Sequence, residues 1–238
     1  MSRPAIGMHR RGWRPSPVRH GCRVTVSHRY PVPAERCRAE HTIDRSRFIC
    51  TIERAASSDT AQTFIREMKT EFADATHNCW AFVVGPPGST SRVGMSDDGE
   101  PHGTAGRPML TVLLHSGVGD LAAVVTRYYG GVKLGTGGLA RAYTATVQAA
   151  LTTMIRGERV EYGEFTLIVN YTHISTVQHL MPALEAAVVG ETYGADVQYR
   201  VRAPLEQMEA LRRALNDATS GQAIVIDDPA ARQSHRSR

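Results

Sequence analysis

The chain has 238 residues and a mass of 26.0 kDa, room for one or two domains that each bury a core. With 42% hydrophobic and 21% charged residues, a disordered chain, a collagen-like fibre and a disulfide-stapled miniprotein are excluded. The net charge of +5 is unevenly spread: residues 1–41 carry nine Arg and two Glu, whereas residues 42–238 carry 19 Lys+Arg against 21 Asp+Glu.

Residues 1–40 are aperiodic and hold Pro4, Pro15, Pro17, Pro31 and Pro33, which predicts a basic flexible arm with one short strand at 23–26. Arg10-Arg11 is followed by no apolar stretch, so no export signal is read there. A strand is expected over 47–54. Ser57, Ser58 and Asp59 offer an N-cap for a helix reaching about residue 73, in which Ile65, Met68 and Phe72 repeat at helical spacing. A strand at 78–85 ends in the turn Gly85-Pro86-Pro87-Gly88, and a short helix over 108–115 follows a glycine-rich loop at 99–106. A buried strand over 121–129 then leads to a long helix over 138–156.

After Gly157 the order is strand 165–171, a helix with Ile174, Val177, Leu180, Leu184 and Val188 on one face, a strand or turn near 190–193, and strand 197–201. A second helix lined by Leu205, Met208, Leu211 and Leu215 and a closing strand at 223–226 complete it. This β-α-β-β-α-β order predicts a ferredoxin-like unit. The expected organisation is α+β throughout: an arm at 1–40, a first domain at 41–156, a second at 160–228 and a tail at 229–238. The longest aliphatic run, Leu121-Ala122-Ala123-Val124-Val125, is far short of a membrane span. Cys22, Cys37, Cys50 and Cys79 form no C-x-x-C pair, which predicts reduced thiols in a cytoplasmic protein.

Chemistry concentrates in three segments. From Arg127 to Tyr143 a strand enters a run with five glycines in nine residues, Gly130, Gly131, Gly135, Gly137 and Gly138, and a helix follows. Such a helix start presents free N–H groups to an anion. Arg127, Lys133 and Arg141 lie beside it, Tyr128 and Thr136 fall in the same stretch, and Arg107 is a further cation of the candidate site. The pattern is neither a P-loop nor G-x-G-x-x-G in the dinucleotide register. Two readings stay open, an anion site or glycines that only shape a tight crossover. An anion at one helix start gains at most about 2 kcal/mol, so several basic contacts would have to add to it.

The second segment holds Asp97, Asp98, Glu100, His102 and Thr104. Adjacent Asp97 and Asp98 do not fit the alternating ligands of a calcium loop, and a structural turn with Thr104 capping the next helix is favoured over a polar site. In the third, His77 and Cys79 share one face of a strand with Cα atoms about 6.6 Å apart, since each residue advances about 3.3 Å. That spacing predicts parallel side chains without the hydrogen bond of a nucleophile and its base. Trp80 is read as core. No catalytic residue, metal or cofactor is assigned.

The residues Ser96-Asp97-Asp98-Gly99-Glu100-Pro101, Gly103-Thr104-Ala105-Gly106 and Pro108-Met109-Leu110, with Arg127-Tyr128-Tyr129-Gly130-Gly131, Lys133-Leu134-Gly135, Gly137-Gly138-Leu139 and Ala142-Tyr143, resemble the signature of the IMPACT/YigZ family. Arg45-Ser46-Arg47-Phe48 and Thr76-His77-Asn78-Cys79 are weaker matches, and His102 and residues 1–40 stand outside the pattern. The resemblance spans about 41–228. It implies a first domain with the ribosomal protein S5 domain 2-like fold and a ferredoxin-like second domain similar to domain V of elongation factor G. Together with the glycine loop flanked by Arg127, Lys133 and Arg141 and the basic arm, those folds lead to the expectation of a translation-related, non-enzymatic binding protein that contacts RNA or ribosome-associated factors. The eukaryotic members' link to starvation signalling is not carried over, because the two-domain form looks bacterial. The alternative is an enzyme or sensor that binds a phosphorylated small molecule at 130–138, with Asp97, Asp98 or Glu100 as acid–base groups. No membrane partner is expected.

Overall fold

A computed structural model describes residues 29–227. The chain enters as β1 (Arg29–Pro33) and β2 (Cys37–Ile43), turns through Asp44 and Arg45, both at positive φ, and returns as β3 (Ser46–Arg54). This is the two-residue hairpin geometry that matches strand twist. The expected arm is therefore corrected from residue 29 onward. Pro31 and Pro33 lie in β1, whose one strand partner is the segment Arg156–Val160, so the lost amides cost little sheet pairing. β2 alternates half-buried and exposed along an edge, and CRAEHTI carries no apolar run to announce it. The strand expected at 23–26, the rest of the arm and the tail at 229–238 lie outside the described residues.

Helix α1 (Ser58–Glu71) opens on Ser57, whose hydroxyl accepts from the Thr60 amide while the Thr60 side chain takes the Ser57 amide. Next come β4 (His77–Val83), β5 (Val93–Ser96), α2 (Gly106–Leu114), β6 (Leu121–Tyr128) and α3 (Gly135–Thr153). Four-residue β5 was not foreseen, because VGMS is too short and mixed to show a period. These strands form one antiparallel sheet in the order β2-β3-β6-β4-β5. Both faces are covered, which is why β6 reads as a continuous apolar run. Leu121, Ala123 and Val125 meet α2 and α3 through Met109, Leu113, Tyr143 and Val147; Ala122 and Val124 meet Phe64, Ile65 and Met68 of α1.

The chain continues as β7 (Arg156–Val160), β8 (Tyr162–Val169), α4 (Ile174–Leu180), β9 (Ala187–Tyr193), β10 (Val197–Pro204), α5 (Met208–Ala218) and β11 (Ile224–Asp227). β8 to β11 form a second antiparallel sheet in the order β11-β8-β10-β9, the ferredoxin-like arrangement. Its core, with Phe165, Leu167, Val177, Tyr199, Leu211 and Leu215, is separate from the first. Helix α4 is shorter than its apolar spacing predicts: Pro182 follows it within a 3-10 turn, and Val188 belongs to β9. The stretch between the two expected domains, around residues 157–159, lies in a ribbon, since β1 pairs with β7. Asp120, fully buried, fastens that ribbon to the first sheet by accepting from Tyr30 Oη at 3.0 Å, Arg159 Nη1 at 2.5 Å and the Gly85 amide at 2.8 Å. Arg29 fastens it to the second through Glu185 and Glu206, both at 2.8 Å.

Candidate phosphate-binding loop and the buried ion pair beneath it

β6 delivers Arg127 to the edge of the glycine-rich loop, but the side chain turns inward. Arg127 is 5% exposed; its Nη1 donates to Glu100 Oε1 at 2.6 Å and its Nη2 to Ser46 Oγ at 3.3 Å. Its guanidinium lies 5.3 Å from the Phe48 ring centre and 5.4 Å from that of Tyr129. Glu100 Oε1 also accepts from Tyr143 Oη at 2.9 Å, and Cys79 Sγ donates to Tyr143 Oη at 3.3 Å and to the Asp97 carbonyl at 2.9 Å. Burial pushes the Cys79 thiol up to about 12 and raises the Tyr143 phenol further. Both stay protonated at neutral pH. The expectation that Arg127 flanks an anion is therefore corrected, since its charge is spent on Glu100.

The acidic segment is likewise committed to holding the fold. Asp97 accepts from the amides of Gly103 at 2.8 Å, Ala105 at 3.0 Å and Gly106 at 2.8 Å, and so caps α2. Burial alone would raise its carboxyl, but these three donors outweigh it and hold the carboxyl below its ordinary value. Thr104, expected to cap α2, instead donates to the Pro101 carbonyl. Asp98 accepts from Lys69 Nζ at 2.6 Å and the Asn78 amide at 2.7 Å, which overcome burial and lower it too. His77 Nδ1 meets the Asp98 carbonyl at 2.8 Å, so His77 and Cys79 each engage the acidic loop rather than one another. His102 is fully exposed. The acid–base reading of Asp97, Asp98 and Glu100 loses its free carboxylates. Trp80, half-buried, stacks on Phe82 at 5.9 Å and packs against the α1 layer, at the edge of that core.

The start of α3 differs from that of α2. Leu134 occupies the cap position with no side-chain hydrogen bond, and no acidic residue lies in the first turn. The helix begins at Gly135 rather than Gly138, which puts Thr136, Gly137 and Gly138 in that turn. Gly131, Gly135 and Gly137 have open space where a Cβ would stand, whereas a Cβ on Gly138 would lie 3.1 Å from the Leu134 side chain. Lys133 and Arg141 are exposed beside these amides, Arg107 is exposed on the first turn of α2, and no ion pair engages the three among the described residues. Tyr128 donates to Asp74 at 2.8 Å, away from this loop. A Cβ on Gly130 would stand 2.0 Å from the Arg45 carbonyl, so the β2–β3 turn packs directly on the loop. Sequence reasoning missed Ser46, which is fully buried and also accepts from the Gly130 amide at 3.2 Å; only its place beside Phe48 in a weak motif marked it.

These features define an α+β protein in which a glycine-rich helix start rests on a buried ion pair and a ferredoxin-like unit follows. Residues 44–151 match the family described as the Impact N-terminal domain, and residues 167–222 match a domain of unknown function, DUF1949. The chain is 36% identical over 199 residues to the IMPACT family member YigZ of Escherichia coli, covering 83% of this chain and 98% of that one. It is 37% identical to an IMPACT family member of Haemophilus influenzae, with 82% and 95% covered. The crystal structure of a hypothetical protein aligns with a TM-score of 0.60 at 35% identity, over 84% of this chain and 97% of that one. The chain belongs to the IMPACT family.

Proposed function

We propose that this protein is a non-enzymatic, translation-related binding protein that holds the phosphate backbone of RNA at the opening of α3, with 41–156 acting as the RNA-contacting domain and 160–228 as a second domain. One observation carries the reading: the first-turn amides of α3 are uncapped and open, with Lys133 and Arg141 exposed beside them. Those amides are free to take an acceptor in place of water, and a phosphate oxygen is a suitable one. The neighbouring α2 start, filled by Asp97, illustrates the alternative in which the protein caps itself.

Lys133, Arg141 and Arg107 each supply about one phosphate contact. Their contribution to the fall of log affinity with log salt, for a labelled homopolymeric single-stranded RNA, is then a slope near −2, about 0.7 per phosphate. Lys133→Ala with Arg141→Ala lowers the magnitude of that slope by about 1.4, and removal of residues 1–28 separates the basic arm from the loop. Binding indifferent to salt, or a double variant that binds as the parent does, refutes the reading.

A further inference from the structure

We propose that Arg127, fixed by Glu100, is a positioning residue that sets the loop opening α3 for its phosphate ligand, an inference that rests on the RNA reading above. Glu100 is 7% exposed and Arg127 5%. Desolvating two ions often costs more than their attraction returns, so such a pair is poor evidence of a stability device. Its contacts run instead to the pieces that frame the loop. Glu100 belongs to the acidic segment, Ser46 closes the β2–β3 turn and holds the Gly130 amide, Tyr129 covers the guanidinium, and Tyr143 projects from α3. Arg127 thus ties the end of β6 directly to the acidic segment and the β2–β3 turn, and through Glu100 to α3.

The Nε–H supplies the second observation. It is buried without an acceptor. With Tyr199 Oη in the other unit, it is one of two buried side-chain polar atoms without a partner among the described residues, and such a donor requires a reason. Here the plane of the guanidinium is fixed by Glu100 and Ser46 at the expense of its own hydrogen bonding. With its charge offset by Glu100, Arg127 acts on a ligand through geometry.

Arg127→Lys keeps the charge but loses the planar fork that reaches both acceptors. In that variant, amide exchange at Gly130 accelerates while the amides of α1 keep their protection. Affinity for the labelled RNA falls about tenfold, by analogy with loss of the outer partners that orient metal ligands, and the salt slope stays unchanged. Lys133→Ala, by contrast, reduces the slope by about 0.7. Should Arg127→Lys not fold, Ser46→Ala keeps the ion pair, removes the shared acceptor and must give the same pattern. Wild-type affinity and Gly130 protection in a folded Arg127→Lys or Ser46→Ala protein overturn the inference, and so does a reduced slope in Arg127→Lys, which would mean direct phosphate contact. If the unaltered protein itself binds no RNA at low salt, the phosphate reading fails instead.

Discussion

Asp97 accepts three backbone amides at once, and Asp97→Ala strands all three donors at the start of α2. Loss of hydrogen bonds to a charged acceptor predicts destabilisation by about 2–3 kcal/mol in chemical denaturation, whereas His102→Ala, though its ring lies 3.8 Å from Asp97, barely moves the midpoint, because an ion pair to a fully exposed ring contributes little. Folding lowers the carboxyl pKa of both Asp97 and Asp98. Their contribution is therefore complete above the unfolded value of about 3.9 and drains away as pH falls through the lower folded values. A series of denaturation midpoints against pH should begin to drop near pH 4, and drop less steeply in Asp97→Ala, where only Asp98 keeps its share.

The glycines of the loop separate by neighbour. Gly130→Ala drives a methyl group into the Arg45 carbonyl and should cost about 3 kcal/mol or more, while Gly137→Ala meets open space within a helix and should gain about 0.5–1 kcal/mol, both read by thermal unfolding. The sequence shows how many glycines the loop has but not this division, because Arg45 arrives from a remote hairpin. Arg127 was misread for the same reason. Its charge and proximity to the loop were visible, whereas the direction of its side chain depends on where Glu100, Ser46 and Tyr129 come to rest.

At the scale of elements, legibility followed how much each segment's own pattern decides its structure. β4 and β6, buried on both faces, are apolar runs, and α1 carries its cap and its period together. β1 and β2 were obscured because prolines and alternating half-burial look like a loop until a partner strand is supplied. The β1–β7 ribbon hangs on Asp120, so Arg159→Met leaves a fully buried carboxylate without its cation. A cost of about 3–5 kcal/mol is expected. Tyr30→Phe, which removes one neutral donor, should cost about 1 kcal/mol by the same measurement.

At the scale of the molecule, two sheets enclose cores with no shared residue. Calorimetry should resolve two transitions, and Leu211→Ala, a truncation at a fully buried site, should lower only one of them, by about 2–5 kcal/mol. A single transition displaced as a whole would show that the ribbon makes the two units melt together. Overall class and the element succession of the second unit were readable because that unit repeats local patterns that need no knowledge of the other. The α3 opening was readable as a glycine-rich turn, and its uncapped state was not, since Asp97 equally well serves either helix on paper.

Trp80, stacked on Phe82 in the α1 layer, is the only tryptophan among the described residues. Once Trp13 is exchanged for Phe, indole emission becomes a private channel for the five-stranded half. The ferredoxin-like half, which carries tyrosine but no tryptophan among its described residues, can then melt in the dark.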